Sequence, residues 1–124
     1  MMKLLVVDDS QFIRNRIMRM VAVHRIDQII TAGNGLEALK QFQKEEPDLV
    51  TMDITMPGLD GIACTSAMVR LNPKVLILVV SAVADKATAI RALKQGANGF
   101  LLKPFTDEEL NASLTELLRG AGHG

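Results

Sequence analysis

The chain has one cysteine, Cys64, among its 124 residues, so no internal disulfide forms and a reducing cytosolic setting is expected. Neither charge sign is in excess: 14 Lys+Arg stand against 14 Asp+Glu. That balance argues against broad attraction to nucleic acid or to an anionic membrane surface. Long hydrophobic runs are also missing. The longest clean one, Val75 to Val80, falls far short of the roughly 20 apolar residues that cross a bilayer. No basic stretch followed by an apolar segment opens the chain, and strand-like residues begin at Leu4. Repeats, low-complexity tracts and interdomain linkers are absent too. These exclusions point to a cytoplasmic protein with no nucleic-acid or membrane partner. With 48% hydrophobic residues, residues 1–124 are expected to make a single domain with a core at about 3–119, and 120–124 reads as a loose tail.

Short apolar runs alternate with longer segments patterned for helices. Leu4–Val7, Gln28–Ala32, Leu49–Met52, Leu76–Val80 and Phe100–Leu102 read as strands. Ser10 is a candidate cap for a helix whose stripe runs through Phe12, Ile13, Arg16, Ile17, Met20 and Val21. Asn34 with Glu37, and Thr106 with Glu109, resemble capping boxes, and Asp60 offers a further cap. Pro47 and Asn72-Pro73 mark breaks, and Gly96 ends the alanine-rich segment from Lys86 to Gln95. Five strands alternating with five helices imply an α/β fold, a parallel sheet with right-handed crossovers and helices on both faces. The unbroken apolar character of strands one and four fits strands buried on both sides.

The chemistry stands at the strand ends. Strand one runs into Asp8-Asp9, strand three into Asp53, strand four into Ser81 and strand five into Lys103-Pro104. In a parallel sheet these carboxyl ends share one edge, where open α/β sheets bind their ligands. One aspartate there would be explained as a helix cap, a contribution of about 0.3–1 kcal/mol. Three carboxylates repel one another, and a hard dication with oxygen ligands relieves the repulsion. Magnesium, which keeps several waters and takes few carboxylates, suits an open edge. Asp53 then reads as a nucleophile that forms an acyl phosphate, with Asp8 and Asp9 holding Mg2+ and Thr55 lending it a backbone carbonyl. Lys103 supplies a cation to the phosphoryl oxygens. A lysine ending a buried strand is costly unless it meets carboxylates, and the following proline permits a cis bond that fixes its direction. Ser81 offers a hydroxyl to the phosphoryl group, and the small Ala82 leaves room for that group to enter.

Taken in order, Val7-Asp8-Asp9-Ser10, Met52-Asp53-Ile54-Thr55-Met56-Pro57 with Asp60-Gly61, Val80-Ser81-Ala82, and Gly96-Ala97-Asn98-Gly99-Phe100 leading to Lys103-Pro104-Phe105 resemble the receiver domain of bacterial two-component response regulators, of the single-domain chemotaxis type. The resemblance implies a doubly wound, flavodoxin-like sheet in the order 2-1-3-4-5 flanked by five helices. It implies that Asp53 accepts a phosphoryl group from a sensor histidine kinase, that Asp8 and Asp9 hold magnesium, and that Lys103 pairs with the phosphoryl group. It further implies that Ser81 follows that group on activation while the Phe100 ring turns inward. The switched surface would then be built from helix four, strand five and helix five. Output would pass by protein contact to a motor switch, a phosphotransfer protein or another effector. Val83, two residues after Ser81, is apolar and cannot orient an attacking water, so slow self-hydrolysis is expected.

Other readings fit less well. A relay intermediate that hands its phosphate to a histidine phosphotransfer protein keeps the same site. A phosphatase of the haloacid dehalogenase type needs an aspartate two residues after the nucleophile, where Thr55 stands. A flavodoxin-like nucleotide binder needs a phosphate-cradling loop after strand one, where Asp8-Asp9 would repel the ligand. The chain is therefore expected to be a phosphoacceptor switch and not an enzyme. His24, near the end of helix one, and His123 lack metal-ligand spacing and read as solvated. Arg14, Arg16 and Arg19 read as a solvated helix face, with kinase docking as the functional alternative. Cys64 reads as a small residue on helix three.

Overall fold

The computed structural model describes residues 2–56 and 60–122. Five strands, β1 (Lys3–Val7), β2 (Gln28–Ala32), β3 (Leu49–Asp53), β4 (Leu76–Ala82) and β5 (Gly99–Lys103), alternate with five helices. The helices are α1 (Gln11–Met20), α2 (Gly35–Glu45), α3 (Gly61–Leu71), α4 (Lys86–Lys94) and α5 (Asp107–Gly122). All strand pairs are parallel, in the order β2-β1-β3-β4-β5.

The helix starts follow local chemistry. Ser10, Asn34 and Asp60 each accept the backbone N–H three residues on. Thr106 and Glu109 exchange both bonds of a capping box. Gly96 holds φ of +116°, and a Cβ there would meet Val69 at 2.8 Å, so glycine ends the α4 segment for two reasons. The Lys103–Pro104 peptide bond is cis.

Alternation along the buried strands makes two cores, one on each face of the sheet. Leu5, Val7, Val50, Met52, Ile77 and Val79 pack with Ala38 and Phe42 of α2, Cys64 and Met68 of α3, and Ala89 and Ala92 of α4. Leu4, Val6, Leu49, Leu78, Val80 and Leu101 pack with Ile17 of α1 and Leu110, Leu114 and Leu117 of α5. The same parity leads on to Asp8, two residues past Val6, to Lys103, two past Leu101, and to Asp53, four past Leu49 by way of the buried Thr51. The parity that buries Val6 and Leu101 under α1 and α5 therefore delivers the charged groups to one corner.

Several expectations need correction. Ser81 lies inside β4, because pairing continues through Ser81↔Leu102 and Ala82↔Lys103. Phe12 is 70% exposed, so it does not belong to the buried stripe of its helix. Helix α5 continues to Gly122, through three of the five residues read as a tail. Pro57 and His123 lie outside the described residues, as does the side chain of Val83.

Candidate functional site

Asp8 follows β1 and Asp53 ends the neighbouring β3, with their strands in register at Val7↔Met52. Both carboxylates are 2% exposed. Lys103 Nζ reaches between them, 3.2 Å from Asp8 Oδ2 and 3.1 Å from Asp53 Oδ2. Asp9, exposed on the loop, completes a group of three carboxylates whose oxygens lie within 4.8 Å of one another. One ammonium against three carboxylates leaves the corner short of positive charge.

Burial and charge both act on the groups of this corner. Burial pushes the Asp8 carboxyl above its ordinary range, and the Asp53 charge adds to the rise, against the Ser10 N–H and Lys103, which pull it down. Burial alone would lower the Lys103 pKa. The charges of Asp53 and Asp8 and their hydrogen bonds outweigh it, and the ammonium holds its proton more tightly than a free lysine. The donor set is all hard carboxylate oxygen, open on the Asp9 side and already short of a counterion, so a small oxygen-seeking dication such as Mg2+ fits it. Asp8, Asp9 and Asp53 are the residues that would hold that ion.

Asp53 is also held from the chain that leaves it. Its Oδ1 accepts the Thr55 N–H at 2.8 Å and the Thr55 hydroxyl at 2.6 Å. The Asp53 carboxylate is thus clamped on both oxygens, one by Thr55 and one by Lys103. Asp8 Oδ1 accepts the Ser10 N–H at 2.8 Å. Ser81 is fully buried and stands apart from this network: its hydroxyl donates to the Ala82 carbonyl at 3.0 Å. Phe100 pairs in register with Val79 and so shares the α4 side of the sheet with Ser81, where it is partly buried.

Three residues read as solvated have partners. Arg14 Nη1 donates to the Asp8 carbonyl at 2.5 Å. Arg16 donates to the Phe105 carbonyl and to Asp107. His24 lies in a short 3-10 turn, with Nε2 2.6 Å from Asn111 Oδ1 on α5. Arg16 did carry a signal in the sequence: it stands among Ile13, Ile17 and Met20 at helical spacing, and a charge on that stripe must find a partner or leave the core. Arg19 is exposed, as expected.

A parallel sheet in the order 2-1-3-4-5, with an acidic corner at its carboxyl edge and a lysine across it, defines a class. Residues 4–115 match the response regulator receiver domain, and the chain belongs to that family of phosphoacceptor signalling domains. The chemotaxis protein CheY of Listeria monocytogenes is 36% identical over 114 residues, covering 92% of this chain and 96% of that protein. CheY of Thermotoga maritima is 34% identical over 115 residues, covering 93% of this chain and 96% of that protein. Among solved structures, a response regulator receiver domain protein from Clostridium thermocellum superposes with a TM-score of 0.86 at 26% identity, covering 97% of this chain and 96% of that one. A CheY-like receiver domain protein from Methanospirillum hungatei shares the fold with a TM-score of 0.89 at 21% identity, covering 99% and 98%. Among the described residues, no helix is long and apolar enough to cross a membrane.

Proposed function

We propose that this chain is a stand-alone response regulator of two-component signalling, in chemotaxis or a related pathway, with Asp53 as its phosphoacceptor. The observation that carries the reading is the setting of Asp53: a buried carboxylate with one oxygen on Lys103 at 3.1 Å, inside a group of three acidic side chains. In the proposed reaction a carboxylate oxygen of Asp53 attacks the phosphorus of a partner kinase's phosphohistidine. The P–N bond breaks, its electron pair stays with the imidazole, and an acyl phosphate remains on Asp53. Magnesium held by Asp8, Asp9, Asp53 and the Thr55 carbonyl would supply charge neutralisation for the phosphoryl oxygens. Lys103 moves its attention from the resting carboxylates to the new phosphoryl group.

Ser81 supplies the switch in this reading. Its hydroxyl, now satisfied by the Ala82 carbonyl, turns toward the phosphoryl group, and the half-buried Phe100 ring follows into the space on the same side of the sheet. Bistability of that packed face passes the change to α4, β5 and α5. In this reading the chain works in the cytoplasm, and its partners are a sensor histidine kinase and a protein target, such as a motor switch component or a phosphotransfer protein. Incubation with acetyl phosphate and magnesium, followed by intact mass measurement, tests the assignment. One phosphoryl group is expected on the parent and none on Asp53→Ala; an adduct on both proteins overturns Asp53 as the sole acceptor.

A further inference from the structure

Helix α1 packs beside α5 on one face of the sheet, and two of its arginines reach off it in opposite directions. Residues two apart on a helix point about 200° apart. Arg14 turns to the β1–α1 loop and caps the Asp8 carbonyl. Arg16 turns the other way, to the segment that joins β5 to α5. There one guanidinium makes three contacts. Its Cζ stacks 4.7 Å from the centroid of the Phe105 ring. Nη2 donates to the Phe105 carbonyl at 2.6 Å, and Nε donates to Asp107 Oδ1 at 3.0 Å. Phe105 is itself buried in the core with Ile17 and Leu110.

We propose that Arg16 is a positioning residue for the acidic corner: from α1 it grips Phe105 in the β5–α5 turn and Asp107 at the start of α5, and so fixes Lys103, two residues before Phe105, between Asp8 and Asp53. A planar guanidinium makes all three contacts at once, which neither an ammonium nor a thioether reproduces. The Arg16 side chain is 22% exposed and Asp107 58% exposed, so the ion pair with Asp107 contributes little by itself. The weight falls on the stacked ring and the Phe105 carbonyl. Without Arg16 that carbonyl loses its donor and the turn after Lys103 gains freedom. A lysine whose ammonium must sit within hydrogen-bond reach of two carboxylates tolerates little of it, since displacements of about 1 Å are felt in transfer rates. The inference rests on the reading of Lys103 as the cation that meets the phosphoryl group.

Its test compares Arg16→Met, Arg16→Lys and Arg19→Met, the last removing an exposed charge from the same helix. The first readout is solvent exchange of the Lys103 ammonium protons by 15N–1H NMR, with the signal identified by its loss in Lys103→Met. The second is the saturation curve for phosphorylation by acetyl phosphate with magnesium. Arg16→Met should exchange its ammonium protons several-fold faster than the parent and lose several-fold in maximal phosphorylation rate, with the half-saturating donor concentration little changed. Arg16→Lys should fall between, and Arg19→Met should match the parent. Parent-like exchange and parent-like maximal rate in Arg16→Met would overturn the proposal. If that variant fails to fold, the same result in Arg16→Lys does so. A parent that takes no phosphoryl group contradicts the functional reading instead, and the exchange measurement still decides the role of Arg16.

Discussion

Replacing Asp9 by asparagine should stabilise the metal-free protein while abolishing its response to magnesium. At 4.8 Å, the limit within which the three carboxylate oxygens lie, two unit charges repel by about 0.9 kcal/mol in a water-like dielectric and about 3.5 kcal/mol at an effective dielectric of about 20. Asp9 is exposed, so the smaller figure applies to each of its two carboxylate neighbours. Lys103 nearby takes back part of that repulsion, which leaves a net relief of about 1 kcal/mol. Unfolding 124 residues carries an entropy of about 260 cal/mol/K at the midpoint, so the relief should raise Tm by about 4 °C. Magnesium, binding only the folded parent, should raise the parent's Tm with the logarithm of its concentration. Circular dichroism melts in EDTA and in excess magnesium, at matched ionic strength, read both effects. An unchanged or lowered Tm for Asp9→Asn in EDTA would show that the carboxylates are not in mutual conflict. A magnesium response equal to the parent's would remove Asp9 from the metal site.

Further expectations concern the neighbours of Asp53 and the buried thiol. Thr55→Val keeps the shape and the N–H bond but deletes the hydroxyl that donates to Asp53 Oδ1 at 2.6 Å. A carboxylate freed of one donor is the better nucleophile, so phosphorylation by acetyl phosphate should run several-fold faster; a slower reaction would show that the hydroxyl orients more than it restrains. Val83→Glu should shorten the lifetime of the acyl phosphate, followed by loss of the phosphoryl mass with time, because a carboxylate there can orient water and valine cannot. Burial, with a smaller push from Asp60, raises the pKa of the Cys64 thiol. Less thiolate is then present at any given pH, and alkylation at mildly alkaline pH should be slow in the native protein and fast after unfolding in urea. Equal rates in the two states would contradict the packing of Cys64.

Local chemistry was legible in the sequence, and long-range partnership was not. Ser10, Asn34, Asp60 and the Thr106/Glu109 pair announced their helices because a cap is decided within four residues. The strand ends announced the acidic corner because a parallel sheet gathers its carboxyl termini whatever the connecting segments contain. The 2-1-3-4-5 order came from family resemblance and not from the pattern itself. Where β4 ends depends on whether β5 still runs beside it, so Ser81 read as the residue just past the strand. Arg14, Arg16 and His24 find partners at Asp8, Phe105 and Asn111. Their own neighbours in sequence say nothing of this, apart from the place of Arg16 on an apolar stripe. The second bond from Thr55 to Asp53 was missed for a different reason: a threonine two residues past an aspartate reads equally well as a turn residue.

The central claim is that an oxygen of Asp53 captures phosphorus with the help of a cation held beside it. Borohydride reduction of the phosphorylated protein, which converts an aspartyl phosphate to homoserine, followed by peptide mass mapping, reads the acceptor directly. Homoserine is expected at position 53, formed only when magnesium accompanies the acetyl phosphate. Homoserine at another aspartate, or the same yield at position 53 in EDTA, would contradict it.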